Sequence, residues 1–182
     1  MKTFVLGGAR SGKSSLAARL ATGLSSDVCC IVTAVVADDE MKARIEAHRR
    51  DRPSHWRVRE EPMKLGAVLG EESRAGRVVL IDCLTLWTAN CLWPPTAAPK
   101  DPNSSFEPDI AGWHAERDAF LASLAATQHD VIIVSNEVGT SLVPENAAAR
   151  LFRDEQGRLN QLVAAACDSA FLVAAGLPLR LK

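Results

Sequence analysis

Short continuous apolar stretches alternate along this chain with longer stretches in which apolar residues recur every third or fourth position. Phe4 to Leu6 reads as a short buried strand ending at Gly7, and Lys13 to Leu24 places Leu16, Ala17, Leu20 and Leu24 at helical spacing. Val28 to Thr33 is a continuous apolar run, the signature of a strand covered on both faces. Asp38-Asp39-Glu40 then opens a helix through about Arg50, its acidic first turn suiting the positive end of the helix dipole, and Pro53 ends it. Leu65 to about Ala75 is a further helix, and Val78 to Asp82 a third strand with an aspartate at its carboxyl end. Cys83 to Trp93 reads as helical. Pro94, Pro95, Pro99, Pro102 and Pro108 make 94–108 a loop. That loop does not divide the chain, because each flank alone lacks enough core. A helix from Asp109 to about Gln128 and a fourth strand, Val131 to Ser135, follow, with Asn136-Glu137-Val138-Gly139 at the strand's carboxyl end. One helix runs from about Glu145 or Ala147 to Arg153 and another from Gly157 to Ala166. Ser169 to Ala174 is the last internal strand, and the tail 176–182 can add an edge strand. There are no internal repeats. The alternation predicts an α/β fold, a doubly wound, mostly parallel sheet flanked by helices, in one domain over residues 1–182. Ligands of such sheets bind at the carboxyl ends of the strands.

Composition narrows the picture a little. At 182 residues with 47% hydrophobic and 24% charged residues, the chain is of ordinary globular make-up. Its net charge of -1 gives no global attraction to nucleic acid or to an anionic membrane, and no apolar run approaches the length of a membrane span. Five cysteines, Cys29, Cys30, Cys83, Cys91 and Cys167, form no C-x-x-C pair, so a zinc site has no support. They read as buried reduced thiols of a cytosolic protein. The first apolar stretch, before Gly7, is too short for a signal peptide, and a cytoplasmic location is expected.

The chemistry begins at Gly7-Gly8-Ala9-Arg10-Ser11-Gly12-Lys13-Ser14, which completes G-x-x-x-x-G-K-[ST] between a strand and a helix. Glycines let the backbone curl so that successive N–H groups point at phosphate oxygens, and the following helix adds its positive end. In this P-loop, Lys13 is expected to reach the β- and γ-phosphates and the Ser14 hydroxyl to ligate Mg²⁺. The fold expectation therefore sharpens to the P-loop NTPase type. Asp82 has two readings: a second ligand on the Mg²⁺ side, or a helix N-cap before Cys83. With the loop present, the Mg²⁺ role is favoured.

Met41, Ile45 and His48 fall on one face of the second helix, and Arg44, Arg49, Arg50 and Arg52 surround the histidine in sequence. Neighbouring positive charge favours the neutral imidazole, which can attack phosphorus, while guanidiniums bind the phosphates around it. On these residues alone, a basic surface helix with an incidental histidine is the preferred account. His55 next to Trp56 reads as a stacked surface pair or a packing corner, and His114 and His129 receive no role.

Further segments join these: Asp-Asp-Glu-Met at 38–41, Arg-Ile-x-x-His at 44–48, Arg-Pro-x-x-Trp at 52–56, Ile-Asp-Cys-Leu-Thr at 81–85 and Ser-Asn-Glu-Val-Gly at 135–139. Val-Pro-Glu-Asn at 143–146, Arg-Leu-Phe-Arg-Asp at 150–154, Leu-Asn-Gln at 159–161 and Gly-Leu-Pro-Leu-Arg-Leu-Lys at 176–182 complete the set. Together with the P-loop, the ordered set resembles the bifunctional adenosylcobinamide kinase/adenosylcobinamide-phosphate guanylyltransferase family of cobalamin biosynthesis, over nearly the whole chain. Thr140-Ser141 and Thr88-Ala89-Asn90 depart from the family's usual pattern.

The resemblance implies two reactions. ATP or GTP phosphorylates the terminal hydroxyl of the aminopropanol arm of adenosylcobinamide. GTP then transfers GMP to that phosphate through a covalent guanylyl-histidine, which falls on His48 and reverses the account given above for that residue. The family's nucleotide contacts fall on the 7–14 loop, on Val32, Thr33 and Ala34, on Arg49, Arg50, Asp51 and Arg52, and on Glu60 and Asp82. A homo-oligomer, a trimer, is implied, with the corrinoid at a subunit boundary. The rival within the fold is a monofunctional small-molecule kinase with His48 inert. A GTPase switch lacks an Asn-Lys-x-Asp motif here, and a DNA-handling ATPase lacks a basic-aromatic stripe. One tension stands: the loop grips β- and γ-phosphates, whereas His48 must attack the α-phosphorus.

Overall fold

The computed structural model describes residues 1–35, 38–50, 52–95 and 107–182, without the side chains of Glu40, Arg44, Ala47 and His48. Asp51, the His48 side chain and residues 96–106 of the proline segment lie outside the described residues.

Among the described residues, seven strands form one sheet in the order β3-β2-β4-β5-β1-β6-β7. They are β1 (Lys2–Gly7), β2 (Val28–Val32), β3 (Arg57–Glu60), β4 (Val78–Asp82), β5 (Val131–Asn136), β6 (Ser169–Ala174) and β7 (Leu177–Arg180). All pairings are parallel except β6 with β7, so the tail forms an antiparallel edge strand. The helices are α1 (Lys13–Leu24), α2 (Asp39–Arg50), α3 (Leu65–Arg74), α4 (Leu84–Leu92), α5 (Ile110–Ala126) and α6 (Ala147–Ala166).

The central strands are apolar on both faces because both faces are covered. Cys29, Ile31, Val79, Ile81, Val131 and Ile133 pack with the buried residues of α3, α4, α5 and α6. Their alternates Val28, Cys30, Leu80, Ile132 and Val134 pack with Leu16, Ala17 and Ala21 of α1 and with Trp56. The first layer is thick and the second thin, so the second leaves room beside α1.

Two expectations need correction. β3 was not read from the sequence: its residues Arg-Val-Arg-Glu carry no apolar run, because this edge strand is largely exposed. Arg59 ties it inward, bonding Glu71 at 2.7 Å and Glu72 at 3.1 Å on α3, and Arg77 completes the arrangement by bonding Glu72 at 3.1 Å. The two helices expected either side of Gly157 are one helix, α6. Its buried stripe is partly polar, which breaks the apolar period. Glu155 accepts the Trp113 indole N–H at 2.8 Å, and Gln156 and Asn160 bond the Ser135 hydroxyl at 2.9 and 2.7 Å. Gly157 sits inside this helix without interrupting it.

Helix ends follow ordinary capping. Asp38 accepts from the Met41 N–H at 2.7 Å, Asp109 from Gly112 at 2.8 Å and Asn146 from Ala149 at 3.1 Å. Among the described residues no helix is long and apolar enough to cross a membrane.

Candidate active site

The P-loop runs from the carboxyl end of β1 into α1. A Cβ on Gly7 would lie 2.6 Å from both the Ser11 hydroxyl oxygen and the Val173 carbonyl, so only glycine fits there. Gly12 has φ 95, a left-handed conformation favouring glycine, and it sits at the N-cap of α1 with no side chain capping the helix. No acidic residue stands in the first turn of α1, which leaves that positive end open to an anion. The Gly176 N–H donates to the Ser11 carbonyl at 2.8 Å and anchors the loop to the β6–β7 turn. The Lys13 ammonium donates to the Gly8 carbonyl at 3.0 Å, folded over the loop. The Ser11 hydroxyl oxygen is buried with no partner inside this cradle.

β4 delivers Asp82 beside the loop. Its Oδ1 accepts from the Ser14 hydroxyl at 3.5 Å, and its Oδ2 accepts from Arg52 Nη2 at 2.9 Å. Both members of the Arg52–Asp82 pair are largely buried, at 12% and 14% exposure. Arg49 of α2 pairs with Glu60 at the end of β3. The carboxyl-terminal end of the histidine helix is thus held to the ends of two strands by two ion pairs. The Thr33 hydroxyl donates to the Cys83 carbonyl at 2.7 Å and accepts from the Cys83 N–H at 3.2 Å, locking the end of β2 to the end of β4. Asn90 donates to the carbonyls of Thr33 at 2.8 Å and Pro62 at 3.1 Å.

Between the loop, α2 and these strand ends lies a cavity of about 880 Å³. Of the residues expected at the site, Ala9, Arg10, Ser11, Gly12, Lys13, Ser14, Val32, Ala34, Arg49, Arg52, Glu60 and Asp82 line it. Gly7 and Gly8 shape the loop without lining the cavity. Thr33 is fully buried in its backbone lock, and Arg50 is an exposed residue of α2 away from the cavity. Residues not read from the sequence also line it, chiefly Val35, Pro62, Cys83, Leu86 and Asn136. Met41 and Ile45, singled out only as a helix stripe, form its α2 wall. Asn136 was noted at the end of β5, and its position there was the one signal that could have placed it. The cavity lining is polar at the loop and mixed under α2, where Met41 and Ile45 stand among Lys42, Glu46 and Arg49.

The described cysteines make no disulfide. Burial pushes the thiols of Cys29, Cys30, Cys91 and Cys167 up to about 12, which leaves them protonated and inert at neutral pH. Cys83 lines the cavity, and burial also raises its thiol.

Residues 3–181 match the family model described as cobinamide kinase / cobinamide phosphate guanyltransferase. The chain is 43% identical over 182 residues to the bifunctional adenosylcobalamin biosynthesis protein CobP of Pseudomonas aeruginosa, covering 100% of this chain and 98% of that one. It is 40% identical to the CobU protein of the same description from Escherichia coli and 39% identical to that of Salmonella typhimurium, each along its full length. In fold alone it is similar to the type III secretion ATPase EscN of enteropathogenic E. coli, with a TM-score of 0.55 at 10% identity over 96% of this chain and 43% of that one. A second type III secretion ATPase gives 0.53 at 11% identity over 98% of this chain and 57% of that one. The chain belongs to the cobinamide kinase / cobinamide phosphate guanyltransferase family.

Proposed function

We propose that this chain, as one domain, phosphorylates adenosylcobinamide with ATP or GTP and then transfers GMP from GTP to the product through His48. The observation that carries the proposal is a single cavity walled on one side by the P-loop and on the other by the helix that bears His48. Arg49, the residue after His48, lines that cavity together with Lys13 and Ser14.

In the first reaction the acceptor hydroxyl oxygen bonds to the γ-phosphorus. The bond from that phosphorus to the β–γ bridging oxygen breaks, and the hydroxyl proton is released. Lys13 and the loop amides hold the phosphates while charge shifts onto the leaving nucleotide. In the second reaction an imidazole nitrogen of His48 bonds to the α-phosphorus of GTP and displaces pyrophosphate. The acceptor's phosphate oxygen then attacks the same phosphorus and frees the imidazole. Covalent transfer splits one hard displacement into two. The cavity's lining, which includes both the loop and Met41 and Ile45, supports placing different phosphorus atoms of the nucleotide at the two reaction points.

Mg²⁺ fits the donor set, since the Ser14 hydroxyl and the Asp82 carboxylate are hard oxygen ligands that share one hydrogen bond. When bound it supplies charge neutralisation at the β- and γ-phosphates. Exposed Leu177, Leu179 and Leu181 on the β7 side are apolar surface that a homo-oligomer would cover, a trimer by the family resemblance. Light scattering on the purified protein tests that assembly, and cell fractionation the expected cytoplasmic location.

The functional test is incubation with Mg²⁺ and GTP labelled at the α-phosphate. The expected product is a labelled protein whose bond is acid-labile and base-stable, with no label on His48→Ala. A His48→Ala protein that still takes up label, or still makes adenosylcobinamide-GDP, refutes the role of His48. A wild type that phosphorylates cobinamide but never takes up label would make it a kinase alone.

A further inference from the structure

A second cavity, a groove of about 570 Å³, opens beside α1 on the thin side of the sheet. Its α1 wall is Ala18, Arg19, Thr22 and Gly23, residues of one helix face. Pro53 lies opposite and Leu80 of β4 lines the groove too. Its inner end is formed by Ser14, Arg52 and Asp82, the same residues that line the nucleotide cavity. The buried Arg52–Asp82 pair is therefore a partition between two cavities that meet at the point where the loop, the hydroxyl of Ser14 and the carboxylate converge.

We propose that this groove is the acceptor subsite, taking the hydroxyalkyl arm of the acceptor in the first reaction and its phosphate monoester in the second. The inference rests on the two-reaction reading above and adds the place of its second substrate. In-line transfer needs the acceptor to approach phosphorus from the side away from the leaving group. A groove that reaches Ser14 and Asp82 separately from the nucleotide cavity provides such an approach. Its volume lies within the range of small-molecule sites, enough for an arm and short of a whole macrocycle, which stays at the mouth. Ala18, Leu80 and Pro53 give it apolar walls suited to a short alkyl chain and unsuited to a triphosphate. Gly23 lines the groove and a Cβ there would meet nothing within 4 Å, so a larger side chain can be introduced at this wall without a clash. The exposed Arg19 guanidinium adds a positive charge that the alcohol does not need and the phosphate ester uses.

The test compares wild type, Gly23→Phe and Arg19→Glu in three assays. These are acceptor-free labelling by α-labelled GTP, KM for cobinamide in phosphorylation, and KM for cobinamide phosphate in GMP transfer. Labelling and its GTP dependence are expected to stay at the wild-type level in both variants, which also reports a folded nucleotide site. Gly23→Phe is expected to raise both acceptor KM values about tenfold or more, tenfold being about 1.4 kcal/mol. Arg19→Glu is expected to raise KM for the phosphate about tenfold and for the alcohol less than about threefold, since only the ester carries the charge. Wild-type acceptor KM values in both variants overturn the proposal. So does a shift in the GTP dependence of labelling, which would assign the groove to the nucleotide. If Gly23→Phe fails to fold, Arg19→Glu decides, because that side chain is exposed. A wild type inactive in all three assays would sink the two-reaction reading itself, an outcome distinct from either of these.

Discussion

Replacing Gly7 by alanine is expected to damage both stability and nucleotide binding, while the same change at Gly8 leaves the fold intact. The added Cβ at Gly7 lands 2.6 Å from the Val173 carbonyl oxygen and 2.6 Å from the Ser11 hydroxyl oxygen. Ordinary contact needs roughly 3.5 Å, so one side must recede by about 1 Å. Ser11 can turn its hydroxyl away; Val173 cannot. It is 1% exposed, in register with Gly7 in the parallel β1–β6 pair and with Pro178 across β6 and β7. The strain therefore falls on the root of the P-loop. Overpacking of this kind costs about 1–3 kcal/mol, which for a domain of this size lowers Tm by roughly 2–12 °C. The loop amides shift with their root, and GTP affinity is expected to fall by about tenfold or more, a loss of about 1.4 kcal/mol. At Gly8 the new Cβ meets nothing within 4 Å, so its Tm is expected to stay within roughly 2 °C of wild type. Thermal unfolding followed by circular dichroism and titration calorimetry with GTP read both quantities. A Gly7→Ala protein with wild-type Tm and affinity, or a Gly8→Ala protein as unstable as Gly7→Ala, would refute the steric argument.

Asp82→Asn keeps an oxygen for Arg52 but removes the charge offered to Mg²⁺. The Mg²⁺ concentration for half-maximal GTP labelling is expected to rise about tenfold or more, and stability to fall by about 1–3 kcal/mol, less than for a fully broken buried pair; an unchanged Mg²⁺ titration counts against the assignment. Burial opposes ionisation of Glu72, but the Arg59 hydrogen bond and the charges of Arg77 and Arg57 outweigh it and hold the carboxyl below its ordinary 4.5. A depressed value in the folded state means that stability is present above pH 4.5 and is lost as pH falls through the folded value, so Glu72→Gln should flatten the acid limb of urea midpoints measured from pH 7 to pH 3. An acid limb as steep as that of wild type would contradict this. Burial raises the thiols of Cys30, Cys91 and Cys167 to about 12, so native protein at pH 8 should react with iodoacetamide far more slowly at these positions than protein in urea. Peptide mass spectrometry resolves the sites, and equal native and denatured rates would show that these cysteines are not buried.

What the sequence made legible is what the backbone itself demanded. The strand, loop and helix from Phe4 to Leu24 could be read because glycine is required at positions 7 and 12 and because β1, β2, β4 and β5 are covered on both faces. β3 was not legible, since an exposed edge strand needs no apolar run and its charged residues serve ion pairs with α3 that only the fold brings near. α6 was split at Gly157 because three buried polar residues, Glu155, Gln156 and Asn160, interrupt its stripe while bonding Trp113 and Ser135 from other elements.

The same division runs through the site. Lys13 and Ser14 follow from a motif whose spacing encodes its chemistry, and Asp82 from a carboxylate at a strand end, although that placement alone served a helix cap equally well. The structure adds what spacing could not: Asp82 turns one oxygen to Ser14 and the other to Arg52. A helix cap would have turned the carboxylate toward amides of the α4 first turn, whereas α4 begins after Cys83 with no side-chain cap. Val32, Ala34 and Glu60 came only through family resemblance, because nothing in a buried strand end or an edge strand marks it as facing a ligand. Pro62 and Leu86 came from neither source, and Asn136 only as a strand-end residue with no role, each reaching the cavity from a separate element. A cavity wall assembled from elements distant in sequence leaves no local pattern. The apolar part of this one became visible only once Met41 and Ile45, legible merely as a helix stripe, were found lining the same cavity as Val35, Pro62 and Leu86.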